Sequence, residues 1–303
     1  MAEQLLEGLV IAHLGQGIAV EYEQRLILCQ TRRKLETVAV GDRVLWTPAA
    51  THQDQHSQGR IEEILPRRSV LLRPARSDKT RPVAANIDTV CIVFAVEPNC
   101  DFLLMDQYLA VCENTKIQAT LVQNKTDLPC SEDINTELAH YQHLGYPLHR
   151  VSAMTPGDAG LEALKHALSN QVSILAGQSG VGKSSITNAL IPDKAIKTNT
   201  ISDTTKLGRH TTTAATLYHM EGRGDLIDSP GVAIFGLADL SETQLAYGYR
   251  EFQPLLGQCQ FNDCRHLQDK GCAIREAAER HAISPTRYQR FLKLREKMPT
   301  AKN

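Results

Sequence analysis

Over residues 1–73 the apolar positions come in short blocks: LVIAHL, GIAVEY, RLILCQ, VAVGDRVLW and GRIEEIL. Turn residues, among them Gly15, Gly17, Gly41 and Gly59, separate them. Small strands at this spacing predict a five-stranded β-barrel of the OB type. The polar stretch THQDQHSQG at 51–59 reads as a hairpin loop, and the basic, Pro-containing stretch from about 74 to 86 reads as a linker. Beyond it the runs DTVCIVFAV, IQATLVQN, YPLHRVSA and QVSILAG alternate with helix-like segments near 102–113, 132–144 and 158–169. That alternation predicts a mostly parallel sheet with helices on its faces. AATLYHM and GDLIDS are joined only by EGRG, too short for a helical crossover, so they predict an antiparallel hairpin at the sheet edge. After about 240 come a Cys/His cluster and two helix-like stretches, 273–281 and 285–297. The expected organisation is a barrel at 1–73, an α/β unit at 74–240 and a mostly helical unit at 241–303.

Composition changes this picture little. The chain has 303 residues, enough for several cores, a formal net charge of −1 and 42% hydrophobic residues. The charge balance gives no argument for a polyanionic partner, so any such surface must come from local clusters. Two exist: Arg67, Arg68, Arg73, Arg76, Lys79 and Arg81, and then Arg287, Arg290, Lys293, Arg295 and Lys297 in the last helix-like stretch. No run approaches the roughly 18 apolar residues of a membrane span. The start lacks the basic region of a signal peptide, so the expected location is the cytoplasm.

Chemistry enters with GQSGVGKSS, residues 177–185, which fits the phosphate-loop pattern and follows the strand-like run QVSILA. Gly177, Gly180 and Gly182 permit the tight turn, and with Gln178, Ser179, Val181 and Ser185 they aim backbone N–H groups at a phosphate chain. Lys183 is expected to bridge the β- and γ-phosphates, and the Ser184 hydroxyl to hold Mg²⁺. DSPG, residues 228–231, fits the D-x-x-G element: Asp228 approaches the Mg²⁺ and the Gly231 N–H meets the γ-phosphate. NKTD, residues 124–127, looks like a guanine reader. Asp127 would accept the N1–H and exocyclic amine, Asn124 the other edge of the base, and Lys125 would cover it. Ser152 and Ala153 follow the next strand, the Ala153 N–H meeting O6. All these elements fall at the C-terminal ends of expected strands, where such sheets bind ligands.

The order is unusual, because NKTD precedes the phosphate loop. With KLGRHTTT at 206–213, LIDSPG at 226–231 and the cysteine cluster, this order resembles the RsgA (YjeQ) family of circularly permuted GTPases of small-ribosomal-subunit biogenesis. The resemblance runs through nearly the whole chain. It departs in Val232 and Ala233 after DSPG, where bulkier residues are commoner, and in lacking a long basic N-terminal extension. It implies a GTP hydrolase that binds the small (30S) subunit and its rRNA late in maturation, slow alone and stimulated by the subunit. It further implies GTP and GDP as ligands, Mg²⁺ with the nucleotide, and a monomer. The alternative is a nucleotide-gated binding module with little turnover; an ATP-dependent kinase is disfavoured by NKTD.

Val232 stands where Ras-like enzymes carry the glutamine that orients water, so another group must act there. His210 is the candidate, and Thr212 the candidate to complete the Mg²⁺ shell. Cys259, Cys264, His266 and Cys272 form one Cys₃His set suited to tetrahedral Zn²⁺ in a closed structural site. Because permutation puts DSPG just before this segment, γ-phosphate sensing is expected to move the zinc unit.

Overall fold

The structure is a computed structural model describing residues 5–15, 17–32, 35–49, 58–74, 80–194, 215–229 and 240–298. His210, Thr212 and Gly231 lie outside the described residues, as do Arg76, Lys79 and most of the 51–59 loop.

Strands β1 (Leu6–Leu14), β2 (Gly17–Tyr22), β3 (Arg25–Thr31), β4 (Arg43–Pro48) and β5 (Gly59–Ile64) form the first unit. They pair in the order β1-β2-β3-β5-β4, and β4 returns to β1, closing a five-stranded barrel. Alternation fills its interior with Val10, Val20, Val44, Trp46 and Ile61, all buried. β6 (Val70–Pro74) and β7 (Thr80–Ala85) form a separate antiparallel hairpin. The stretch expected as a linker therefore contributes a strand, because Pro82 and the apolar run after it find partners in β6. Ala84 also bridges to Val40 of the barrel unit.

The second unit runs β8 (Thr89–Phe94), α1 (Phe102–Thr115), β9 (Gln118–Gln123), α2 (Glu132–His143), β10 (Leu148–Arg150), α3 (Ala159–Ala167), β11 (Val172–Ala176), α4 (Lys183–Leu190), β12 (Thr216–Met220) and β13 (Gly224–Asp228). The sheet order is β10-β9-β8-β11-β13-β12, parallel except for β12 against β13. The chain moves outward from β8 in one direction and from β11 in the other. The crevice between β8 and β11 is thus the topological switch point, where ligands settle in such sheets. β12 is not the free edge expected: Thr216 pairs with Ala12 of β1, so the barrel and the α/β sheet are one continuous ladder. His219 of β12 reinforces that seam, touching Asp225 at 2.6 Å and Glu21 of β2 at 2.9 Å.

The C-terminal segment holds α5 (Glu242–Tyr247), α6 (Ala273–Glu279) and α7 (Pro285–Glu296), with a short 3₁₀ turn at Gln253–Leu255. It packs on α1 through Ala110, Leu245, Tyr249, Phe252, Phe291 and Leu294. Beside this apolar contact lies a buried charge network. Asp106 of α1, wholly shielded, meets Arg287 Nη1 at 2.8 Å and Arg290 Nε at 2.6 Å, and accepts from the Tyr141 hydroxyl at 2.7 Å. Arg287 also pairs with Glu251, and Arg290 with Glu137. Arg295 reaches the Arg265 carbonyl at 2.7 Å and Glu242. Three cations of the basic tail helix are therefore internal fasteners, while Lys293 and Lys297 face solvent. Arg67 and Arg68 are likewise occupied, by Asp42 and Asp88, each at 2.7 Å. Among the described residues no helix is long and apolar enough to cross a membrane.

Candidate functional site

The loop after β11 opens α4 with left-handed backbone at Gly180 (φ 84°) and Gly182 (φ 92°). A Cβ on Gly177 would stand 2.1 Å from the Val93 carbonyl, and one on Gly182 would stand 2.2 Å from Asn124 Nδ2. Both contacts forbid a side chain, so the loop must press against the ends of β8 and β9. Ser179, Gly180 and Ser184 face solvent, Ser185 is half-buried, and Val181 is wholly buried beneath the turn. The Lys183 ammonium donates to the Gly177 and Gln178 carbonyls, both at 2.7 Å. Burial lowers its pKa, and nearby Asp228 opposes that shift.

Asn124 holds three loops together. Its Nδ2 donates to the Val181 carbonyl at 2.9 Å, and its Oδ1 accepts from the Ala153 N–H at 3.2 Å. The NKTD loop, the 152–153 loop and the phosphate loop are therefore braced through one buried amide. Ser152 donates to Asp127 Oδ1 at 2.7 Å, which orients an otherwise exposed carboxylate towards the crevice rim. Lys125, left-handed at φ 60°, donates to the Glu97 carbonyl at 2.7 Å.

The 97–101 loop after β8 carried no motif, yet it meets both the 124–127 and the 177–185 loops. The Gln178 amide donates to the Asn99 carbonyl at 3.1 Å and accepts from the Asp101 N–H at 3.2 Å. Asp101 in turn caps α1, accepting from the Leu104 N–H. The phosphate loop is thereby tied to the helix that carries Asp106. Asp228, at the end of β13, pairs with Lys194 just past α4. Neither Lys194 nor Asp101 was visible as a site residue. A lone lysine and an Asp at a helix start have no fixed spacing that marks them.

In the C-terminal segment His266 Nδ1 lies 3.6 Å from each of the Cys259, Cys264 and Cys272 sulfurs. One ring nitrogen cannot be the acceptor of three thiol protons. A tetrahedral ion with bonds of about 2.3 Å to sulfur and 2.0 Å to nitrogen separates S and N by roughly 3.5 Å, so the spacing fits a shared metal. The four ligand atoms all lie within 4.8 Å of one another. His266 is held for this role by its own left-handed φ of 57° and by the Tyr288 hydroxyl on its carbonyl at 2.9 Å. Cys272 caps α6, its sulfur accepting from the Arg275 N–H.

Comparison with known proteins follows the same lines. The model of the RsgA GTPase family matches residues 64–238, more than half of the chain. The chain belongs to the RsgA GTPase family. It is 43% identical over 98% of its length to a small ribosomal subunit biogenesis GTPase RsgA of Proteus mirabilis, covering 86% of that protein. The corresponding Yersinia enterocolitica protein is 42% identical over the same shares. Among solved structures it resembles YjeQ from Thermotoga maritima, with a TM-score of 0.75 and 33% identity over 96% of this chain and 97% of that one. It also resembles YloQ, a circularly permuted GTPase, with a TM-score of 0.72 and 26% identity over 98% and 97%. This RsgA-family chain is thus a GTP hydrolase in which a permuted element order builds one crevice.

Proposed function

We propose that this GTPase acts in maturation of the small ribosomal subunit, binding the subunit and its rRNA and releasing it according to nucleotide state. The observation that carries the reading is the crevice at the β8–β11 switch point, where the 124–127, 152–153 and 177–185 loops are braced by Asn124. Relatives that match nearly the whole chain bear the name of small-subunit biogenesis GTPases. Asp127 with Ser152 reads guanine, and Lys183 and the 177–185 amides hold the phosphates. Ser184, Asp228 and Thr212 would hold the Mg²⁺ that neutralises phosphate charge, and the Gly231 N–H would meet the γ-phosphate. His210 orients the attacking water in place of the glutamine that Val232 replaces. Hydrolysis measured with and without purified small subunits is expected to show stimulation, and His210→Ala to abolish it. Little turnover in both conditions favours the nucleotide-gated module instead.

The support for RNA narrows to one surface. In the β6–β7 hairpin Arg73 and Arg81 stand directly opposite each other, and both are exposed. Like charges at paired positions repel, a cost that a polyanion lying across the hairpin would reverse. The internal roles of Arg287, Arg290 and Arg295 argue against the inner face of α7 as such a surface.

The Cys₃His set would hold one structural Zn²⁺. It closes a loop that α7 already grips, so its removal should loosen the segment around Cys259–Cys272 rather than the crevice. Strong chelation is expected to speed amide exchange through 259–272 and leave GTP binding in place. Unchanged exchange there would count against the metal. Coupling between γ-phosphate and this segment is supported by two connections: Gln178 to Asp101 and α1, and Asp106 to Arg287 and Arg290.

A further inference from the structure

Asp228, the carboxylate expected near magnesium, is held by a lysine that no motif marks. Lys194 Nζ lies 2.5 Å from Asp228 Oδ2, with the two side chains 22% and 31% exposed. The same ammonium stands 5.7 Å from the centre of the Tyr218 ring. Lys194 comes just after α4 and before residues 195–214, whereas Tyr218 lies on β12, just after them. Thr216 and Asp228 are opposite each other in the β12–β13 ladder. One cation therefore joins the two ends of the 195–214 segment to the head of DSPG. Lys183 also feels the Asp228 charge.

The donors at this point suit a hard divalent cation: the exposed Ser184 hydroxyl in the first turn of α4 and the Asp228 carboxylate. Magnesium held there with nucleotide would neutralise charge on the β- and γ-phosphates. While Lys194 stays at hydrogen-bond distance from Asp228 Oδ2, its charge opposes a hydrated divalent cation at the same carboxylate. We propose that Lys194 is a built-in competitor of the divalent cation for Asp228, so that metal loading works against the Lys194–Asp228 pair. This rests on reading the 177–185 and 228–231 loops as the nucleotide site. The pair lowers metal affinity by at most its own strength.

The test uses the whole protein and compares GTP affinity in Mg²⁺ with GTP affinity under chelation. The ratio of the two measures how strongly metal and nucleotide are coupled. Lys194→Met keeps the stem and removes the charge. Its ratio is expected to rise about three- to fivefold, the scale of a partly exposed ion pair, while Lys194→Arg keeps the original ratio. Calorimetric Mg²⁺ titration of the GDP-bound protein should show the same tightening, independently of turnover. An unchanged or smaller ratio in Lys194→Met overturns the proposal. So does an equal loss of GTP affinity with and without metal, which would make Lys194 a phosphate ligand. Lys194→Gln gives the same comparison should Lys194→Met fail to fold. If the unaltered protein binds GTP with no dependence on metal, the nucleotide-site reading itself fails, a result distinct from an unchanged ratio.

Discussion

Asp127→Asn is expected to weaken GTP binding by about a thousandfold while leaving the protein folded. A carboxylate at this position accepts two N–H groups from guanine, and each hydrogen bond to a charged acceptor contributes about 1.5–3 kcal/mol. Asparagine turns an amide donor towards the base N–H, so one acceptor is lost and a donor meets a donor. Asp127 lies on the rim and is exposed, which is why its loss should not destabilise the fold. Ser152→Ala should act more gently, at about tenfold, because it frees Asp127 to rotate without removing it. Equilibrium binding of a fluorescent GTP analogue checks both. Asp127→Asn binding GTP within tenfold of the original would show that the NKTD loop does not read the base.

The largest stability effect is expected at Asp106, far from any motif. Asp106→Ala leaves Arg287 (1% exposed) and Arg290 (13% exposed) without their shared carboxylate, and the Tyr141 hydroxyl without its acceptor. Breaking one side of a buried ion network costs about 3–5 kcal/mol. Glu251 and Glu137 still hold the two arginines, so the lower end of that range is expected. Because the units need not unfold together, the readout is local. Hydrogen exchange should quicken in α7 and in the face of α1 it covers, while the barrel strands stay protected. A change below about 1 kcal/mol in α7 protection would mean that the aromatic contacts of Tyr249, Phe252 and Phe291 alone hold the segment.

What could be read from the chain divides by how far apart the partners lie. The barrel strands, the alternation of β8 to β11 and the β12–β13 hairpin each show in the local period of their own apolar positions. The phosphate loop, NKTD and the Cys₃His set were legible because their chemistry fixes residue types at short spacings. The pairing of β1 with β12 left no trace, since a strand carries no mark of a partner about two hundred residues away. The same holds for Asp106, whose partner Arg290 is 184 residues distant. A signal was nonetheless present: Asp106 interrupts the run FLLMDQYL, where a charge on a core-facing helix needs a counterion. Arg287 and Arg290, three apart, lie on one helix face and could share one. The basic run read as a surface was in part the other half of that pair. Lys194 gave no such hint, because it follows Pro192 and Asp193 just past a helix end, where a lysine beside an acidic residue is ordinary.

The claim on which the rest depends is that loops out of their usual sequence order form one guanine-nucleotide site. Competition between GTP and ATP for the whole protein in magnesium tests it most directly. Asp127, Ser152 and the Asn124 brace predict that ATP fails to displace GTP even at about a thousandfold excess, because adenine offers no paired donors to the carboxylate. Displacement by ATP at comparable concentrations would contradict the account.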